Sequence, residues 1–478
     1  MWHKEVRTPR ERGSDDNSTM TSTHHTQTRR PLACIVLAAG KGTRMKSDLP
    51  KVLHKVAGRS MVGHVVAAAS ALAPERIVVV VGPGMEDVAA EVAPHATVVQ
   101  ESQLGTADAV MAARPLVEGF DGDVLVVYGD TPLVTPATLS RMTEARDGAS
   151  GDPAVVVLGM RPDDPGAYGR LIQGADGGLE AIVEYLDATE DQRAVTLCNA
   201  GLMAFDGRRL FALLDAIGND NAKGEFYLTD AVAVARAAGH ACRVVEASAE
   251  EVVGVNSRAE LAAVERLMQH RLRAAAMAGG ATLADPETVY FSHDTRLGRD
   301  VTVGQNVVFG PGVEVGDRVE IRPFCHLEEV RVASGALIGP YARLRPGADI
   351  GPDVHIGNFV EVKNARIDQG AKVNHLTYIG DASVGAKANI GAGTITCNYD
   401  GFFKSRTEIG AGAFIGSNSA LVAPVTIGAG AIVGAGSVVT RDVPADALTV
   451  ERSKQSVHEG WAAGFRTRRA AEKAARSK

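Results

Sequence analysis

The sequence predicts two folds in one chain. The first is an α/β domain whose mostly parallel sheet is covered on both faces, and the second is a parallel β-helix of hexapeptide repeats. Three observations carry this. Between residues 32 and about 255, short Val/Ile/Leu runs alternate with amphipathic stretches, whereas after Leu297 the apolar period becomes six. Glycine is abundant at 52 residues, while aromatic residues make up only 5%. A narrow prism-shaped core with glycine at its corners accounts for both. At 478 residues the chain also exceeds one ordinary core, so two domains are expected.

Residues 1–31 are polar, rich in Thr, Arg, His and Asp, and hold no apolar stretch of signal-peptide length. A disordered arm is expected there, with Met20 as an alternative start. No later run is long enough to span a membrane. A formal net charge of −7 argues against a general nucleic-acid binder, which needs excess Lys and Arg. Neither nucleic acid nor membrane is therefore an expected partner, and any substrate phosphate must be met by a few placed cations and N–H groups. The cysteines (Cys34, Cys198, Cys242, Cys325 and Cys397) form no CxxC or Cys/His pattern. They read as reduced thiols of a cytoplasmic protein, with neither disulfide nor zinc.

In chain order, CIVLAAG, RIVVVVG, ATVVQ, DVLVVYGD and PAVVVLG are the predicted strands of a domain spanning 32–256. SMVGHVVAAASALA and TADAVMAARPLV are helices between them. Residues 257–278 predict one long linker helix, opened by Ser257 as N-cap with Glu260 three residues on. The β-helix follows over 279–465. LGRDVT, VGQNVV, FGPGVE and VGDRVE run consecutively from 297, and IGPYAR, IGPDVH, IGNFVE, IGAGAF, IGAGAI and VGAGSV come later. The aliphatic residue of each unit points inward, and glycine suits the tight corner. Register slips by one between Leu327 and Val332 and between Ile379 and Val384, and the period is lost in TITCNYDGFFKSRTE (394–408). Such interruptions on a rigid scaffold are where chemistry tends to sit. From Arg466 to the end, RTRRAAEKAARSK predicts a basic, solvated tail.

LAAGKGTRM (37–45) follows the first strand. It lacks the third glycine of GxGxxG, because Met45 stands in that place, and it is no Walker A loop. What remains is a glycine turn whose N–H groups can approach phosphate oxygens, with Arg44 and Lys51 nearby, or an ordinary tight turn. QLGTADA places Gly105 and Thr106 at a strand-to-helix junction, and YGDTPL puts Asp130 at the end of a buried strand. An unpartnered carboxylate there would be costly, so Asp130 either meets a Mg²⁺ ion or caps the next helix.

Within the repeats, KVNHLTYIGD brings His375 and Tyr378. Arg345 (RLRPG) and Lys363 (FVEVKNAR) lie a few coils away, and ANIGAGTITCNYDG follows. The separations Arg345 to Lys363 and Lys363 to Asn389 suggest stacking on one face. A lone His in a repeat is usually structural, but this one has cationic and aromatic company.

LAAGKGTRM with Lys51 after Leu49-Pro50, QLGT, YGD, YGRL, IVEYLDA and CNAG, followed by the His375 and Asn398-Tyr399 segments, resemble one family in its own order over roughly 32–465. That family is the bifunctional N-acetylglucosamine-1-phosphate uridylyltransferase/glucosamine-1-phosphate acetyltransferases. The resemblance implies an α/β nucleotidyltransferase fold, Rossmann-like, then a left-handed β-helix against the usual crossover rule. It also implies UTP and acetyl-CoA as co-substrates, Mg²⁺, a homotrimer through the β-helix, and a product, UDP-N-acetylglucosamine, that feeds bacterial envelope synthesis.

Carried over residue by residue, Leu37, Ala38, Ala39, Gly40, Gln100, Gly105 and Thr106 would meet the uridine nucleotide. Arg44 and Lys51 would hold phosphates, with Tyr128 and Gly129 flanking them. Gly169, Glu184 and Asn199 would bind the N-acetylglucosamine moiety, and Asp130 and Asn256 would ligate Mg²⁺. In the second half His375 would be the general base, with Glu361 orienting it. Arg345 and Lys363 would grip the sugar phosphate, and Tyr378, Asn389, Asn398 and Tyr399 would contact the sugar or acetyl end. Ala392, Ser417, Ala435 and Arg452 match acetyl-CoA positions, and Cys397 would be a bystander. One departure stands out: Ala107-Asp108 occupies the place where the family usually shows Gly-His. Two other readings compete: a single-activity sugar-1-phosphate nucleotidyltransferase with a non-catalytic β-helix, and a non-enzymatic scaffold. The His375–Tyr378 segment opposes the first, and the complete LAAG, QLGT and YGD set opposes the second.

Overall fold

The computed structural model describes residues 30–147, 152–221 and 223–476. Most of the expected disordered arm, residues 1–29, lies outside the described residues. Its last two residues are not free, which corrects the expectation. The Arg30 guanidinium pairs with Asp147 at 2.8 Å and Asp152 at 2.9 Å, and Pro31 O accepts from Asp123 N at 2.8 Å. Beneath them Arg146, fully buried, meets Asp123 at 2.9 Å. A buried guanidinium has to find carboxylates, and Arg30 is drawn into the same cluster.

Seven strands form the main path of a nine-stranded sheet, with Arg170–Gln173 and Leu179–Val183 paired beside it: β1 (Leu32–Leu37), β2 (Arg76–Val81), β3 (Ala96–Val99), β4 (Asp123–Tyr128), β5 (Val155–Met160), β6 (Cys198–Asp206) and β7 (Cys242–Ala247). Their order is β7-β5-β6-β4-β1-β2-β3. All neighbours are parallel except β6, which runs antiparallel to β4 and β5. Near-continuous aliphatic runs let β1 and β5 bury every residue. The chain leaves β1 and β4 at the same edge, between neighbours, and a crevice opens there as in other doubly wound sheets. The helix expected across TADAVMAARPLV is two helices, Thr106–Ala112 and Arg114–Val117. Pro115 lacks an N–H and is tolerated only in the first turn of the second.

Helix Arg258–Ala278 joins the halves. The Ser257 hydroxyl accepts from Glu260 N, and the Glu260 carboxylate accepts from Ser257 N at 2.8 Å. The helix is stitched to both sides: Glu265 accepts from Ala57 N at 2.8 Å, and Gln269 exchanges two hydrogen bonds with the backbone of Phe291.

Beyond it, two apolar residues per hexad are buried, from Val301 with Val303, Val307 with Phe309 and Val313 with Val315 through Val425 with Ile427 and Ala431 with Val433. Strands pair 18 residues apart in the regular coils, as Glu314 does with Arg296. The slips shorten this to 17: Glu361 pairs Tyr378, and Asn358 pairs His375. Besides the two slips expected from the sequence, a third lies between Val362 and Ile367, both fully buried. It escaped the sequence reading because Ala365 fills the corner without breaking the apolar rhythm. One coil is longer than the rest: Ser383 pairs Glu408, 25 positions on, because residues 398–405 leave the ladder as a loop. The C-terminal segment, expected as a solvated tail from 466, is an exposed helix beginning earlier, Trp461–Arg476. Its alanine-rich, long-side-chain composition favours helix even without packing. No helix among the described residues is long and apolar enough to cross a membrane.

Candidate active sites

The crevice at the ends of β1 and β4 is a cleft of about 360 Å³. Of the residues singled out by sequence, Leu37, Ala38, Ala39, Gly40, Lys51, Gln100, Gly105, Thr106, Tyr128 and Asp130 line it. Their meeting has local causes. Ala38 N donates to Val80 O and Gly129 N to Leu37 O, which hold the LAAG and YGD turns against the sheet edge. Gly42, at φ +60°, lets the glycine turn touch the next segment: a Cβ there would fall 2.5 Å from Lys51 Cβ. Gly105, at φ +114°, could not carry a Cβ either, since Phe226 O would lie 2.5 Å from it. The QLGT loop is clamped by segment 226–228, through Ala107 N to Phe226 O and Leu228 N to the Thr106 hydroxyl.

At the mouth, Lys51 Nζ donates to Asp130 Oδ2 at 2.5 Å and to Asn256 Oδ1 at 3.0 Å. These two oxygens, from positions far apart in sequence, converge on one cationic point. Asp130 is no helix cap, because Thr135 caps the next helix by accepting from Thr138 N. Asn256 is held by its backbone N–H on Glu260 at 2.6 Å, and its neighbour Val255 N donates to Asp130 O. No cluster of three His, Cys, Asp or Glu side chains able to hold a metal occurs among the described residues. A pair of oxygens that already gathers a cation suits a hard divalent ion completing its shell with water and phosphate.

Outside the cleft lining, next to the Tyr128 ring, Asn199 N donates to Gly169 O at 2.8 Å, and the Asn199 side chain accepts from Gly201 N. A Cβ on Gly169 would rest 3.4 Å from Glu184 Oε1, so these three predicted sugar contacts are neighbours. Burial raises the Glu184 carboxyl above its ordinary range, with Lys223 opposing. The Tyr128 phenol is pushed up to about 12, first by burial and then by Asp130. Arg44 is not brought in: it stands exposed on the turn Thr43–Met45, outside the cleft lining, because that turn carries the chain off the sheet edge. Lys41, Gln103 and Glu225 line the cleft and escaped the sequence reading. Gln103 could have been noticed as the first residue of QLGT; its amide donates to Ala39 O at 3.0 Å.

In the β-helix, His375 Nδ1 lies 2.8 Å from Asn358 Oδ1. The expectation that Glu361 orients His375 is incorrect. Glu361 Oε1 instead accepts from Arg345 at 2.7 Å. The cause is register: Asn358 lies directly under His375, whereas Glu361 pairs Arg343 below and Tyr378 above, on the next face. With Asn358 accepting at Nδ1, Nε2 keeps its lone pair on an exposed ring. The second correction concerns stacking. Lys363 pairs Gly380, on the face of Arg345 and Tyr378, while Asn389 pairs Lys372 on a different face.

Asp381 was missed. It is buried, and it accepts from Asn364 at 2.5 Å and from the amide of Asn398, so it anchors the base of the loop that carries Tyr399. Those hydrogen bonds outweigh its desolvation and hold its carboxyl below the ordinary range. Ala392, Ser417, Ala435 and Arg452 form a continuous ladder: Asn418 N donates to Ala392 O, Gly436 N to Ser417 O, and Arg452 to Ala435 O at 2.7 Å. Cys397 stands half-buried on the Tyr378 face.

With both sites assembled, the chain was compared with known proteins. Residues 34–195 match the MobA-like NTP transferase domain, and 294–328, 329–364 and 406–441 match the bacterial transferase hexapeptide (six repeats). Over 434 residues the chain is 68% identical to the bifunctional protein GlmU of Rhodospirillum rubrum, covering 91% of this chain and 97% of that one. It is 62% identical to the protein of the same name from Paramagnetospirillum magneticum over 93% of this chain and 98% of that one. For that of Rhizorhabdus wittichii the figures are 63%, 94% and 100%.

Proposed function

The chain belongs to the family of bifunctional GlmU proteins and is a bifunctional transferase, and we propose that its two sites act in sequence to make UDP-N-acetylglucosamine. At the β-helix site acetyl passes from acetyl-CoA to glucosamine-1-phosphate. At the α/β site uridylyl passes from UTP to the resulting N-acetylglucosamine-1-phosphate, and pyrophosphate leaves.

The observation that carries the reading is the convergence of Lys51, Asp130 and Asn256 at the mouth of the LAAG–QLGT cleft. Both reactants there are anions, so catalysis is positioning and charge neutralisation rather than nucleophilic side-chain chemistry. Backbone N–H groups of 37–40 and Lys51 would receive the phosphates, with Arg44 reaching in from its exposed turn. Gln100, Gly105 and Thr106 would meet the uridine, with Tyr128 and Gly129 beside it. Gly169, Glu184 and Asn199 would hold the sugar. Asp130 and Asn256 would hold Mg²⁺, which when bound supplies positive charge against the triphosphate.

At the second site the amine of glucosamine-1-phosphate attacks the thioester carbonyl, His375 Nε2 accepts the amine proton, and the thiolate leaves. Asn358 keeps that nitrogen free, and Glu361 keeps Arg345 aimed at the sugar phosphate alongside Lys363. Tyr378, Asn389, Asn398 and Tyr399 would line the sugar and acetyl end. Ala392, Ser417, Ala435 and Arg452 would line the coenzyme. No acyl-enzyme is required. The flat faces of the hexapeptide prism suit a homotrimer, and the free cysteines suit the reducing cytoplasm.

The test is a mixture of purified protein with glucosamine-1-phosphate, acetyl-CoA, UTP and Mg²⁺, followed by mass spectrometry with each reagent omitted in turn. Formation of UDP-N-acetylglucosamine only when all are present is expected. A requirement for ready-made N-acetylglucosamine-1-phosphate would leave a nucleotidyltransferase with an inert β-helix.

A further inference from the structure

The departure flagged in the sequence, Ala107-Asp108, has a physical consequence. Gln100 is buried in the cleft wall, and its side-chain nitrogen donates to Gly105 O at 2.9 Å and to Asp108 Oδ2 at 2.8 Å. A carboxamide has two N–H hydrogens and one acceptor oxygen. A carbonyl and a carboxylate can only accept, so both hydrogens are engaged and the amide cannot turn over without setting its oxygen against two acceptors. Asp108 is itself fixed, because the same oxygen accepts from Leu104 N at 3.0 Å and the residue sits in the first turn of helix Thr106–Ala112, where a carboxylate is favoured. Oε1 of Gln100 receives no hydrogen bond from any described residue and is left as an acceptor on the cleft wall.

We propose that Asp108 is a specificity-determining residue of the uridylyltransferase: it locks the Gln100 carboxamide so that the cleft presents an acceptor to the base, selecting uracil, whose ring N3 carries a hydrogen, over cytosine, whose N3 is an acceptor. This rests on the reading that Gln100 meets the base. Asp108 touches no substrate and acts through Gln100, so it is a positioning residue. An alanine in its place removes the acceptor, so one N–H of Gln100 loses its partner and the amide can reverse.

The experiment compares kcat/KM for UTP and CTP, with N-acetylglucosamine-1-phosphate, in the wild type, Asp108→Ala and Gln100→Ala. In Asp108→Ala the UTP-to-CTP ratio should fall about tenfold or more, as expected for losing one oriented hydrogen bond to the base, while acetyl transfer stays unchanged. An equal loss for both nucleotides, or an unchanged ratio, overturns the proposal. The unaltered enzyme gives a second arm that needs no folded variant. UTP methylated at N3 lacks the donor and should be used about tenfold less well than UTP, and equal use of the two also overturns the proposal. Gln100→Ala separates the two levels. If it leaves UTP use intact, the reading of Gln100 as a base contact fails. If it lowers UTP use while Asp108→Ala keeps the ratio, only the role of Asp108 fails.

Discussion

The two sites are built on opposite principles. The cleft in the α/β half gathers Gly40, Lys51, Gln100, Asp130 and Asn256 from widely separated turns, and side-chain tethers such as Lys51 to Asp130 and Asn256 fix their relation. In the β-helix, position is set by counting: Asn358 and His375 are 17 residues apart and therefore lie one above the other. The first site depends on individual bonds and on turns that exclude a Cβ. The second depends on register, and its scaffold is indifferent to most side chains that face outward. Damage to each should follow that difference.

The largest effects should be separable. His375→Ala should lower acetyl transfer by about 100- to 10,000-fold, the range for removing a positioned base, while pyrophosphate release from UTP and N-acetylglucosamine-1-phosphate changes little. Lys51→Ala should do the reverse. Assays of thiol release and pyrophosphate release on the same preparations decide the matter. Simultaneous loss of both activities in a folded variant would break the comparison.

A deletion tests counting directly. Removing residues 399–405 returns the 25-residue coil to the 18 of its regular neighbours, so the ladder from Ser383 to Glu408 can close. The shortened protein should stay folded by circular dichroism and keep uridylyl transfer, yet lose acetyl transfer by about 100-fold because Tyr399 and its loop no longer position substrate. If acetyl transfer survives at near wild-type rate, the loop is ornamental and the site lies elsewhere.

A finer test separates the two residues near the base. Asn358→Ala should lower kcat for acetyl transfer by about tenfold and shift its pH profile, since Nδ1 loses the partner that fixes the tautomer. Glu361→Gln should chiefly raise KM for glucosamine-1-phosphate, because Arg345 loses its ion pair. The opposite assignment would restore Glu361 as the orienter and contradict the register.

How much of this was legible follows the same divide. Hexad spacing made the β-helix readable residue by residue, and the buried strands of the sheet declared themselves through their apolar runs. What stayed hidden needed three dimensions. Asn358 rather than Gly357 is placed directly under His375 only when the third slip, at Val362–Ile367, is counted, and the shift is small enough for alanine at 365 to conceal it. The clamp of Gln100 by Asp108 depends on a helix turning one carboxylate back on its own loop. Asp381 is likewise an ordinary letter of a repeat until Asn364 and Asn398, one coil to either side, are seen to meet it. Strand β6 is not among the runs that the sequence predicts as strands, and only pairing reveals it and its antiparallel direction.

The smallest effect belongs to the seam between the halves, where neither principle rules alone. His64, from helix Met61–Ser70, donates from Nε2 to Val56 O at 2.8 Å, and its ring meets that of His293 from the β-helix edge-on at 5.8 Å. Arg59 on one side and Asp294 on the other face the pair, while Glu265 holds Ala57 N nearby. Burial, with Arg59 and His293 adding to it, pushes His64 down to about 4, and His293 is also lowered, chiefly by burial. A histidine depressed in the folded state takes up its proton more readily when unfolded. Its contribution to stability is therefore complete above about pH 6.5 and is lost as pH falls toward about 4. His64→Gln, which can keep the hydrogen bond to Val56 O without a titrating ring, should flatten that acid limb. Between pH 7.5 and 5 the wild type should lose a few degrees more of melting temperature than the variant. Carboxylates common to both proteins cancel in the difference, so parallel losses would mean that the histidine pair is not what makes the seam sensitive to acid.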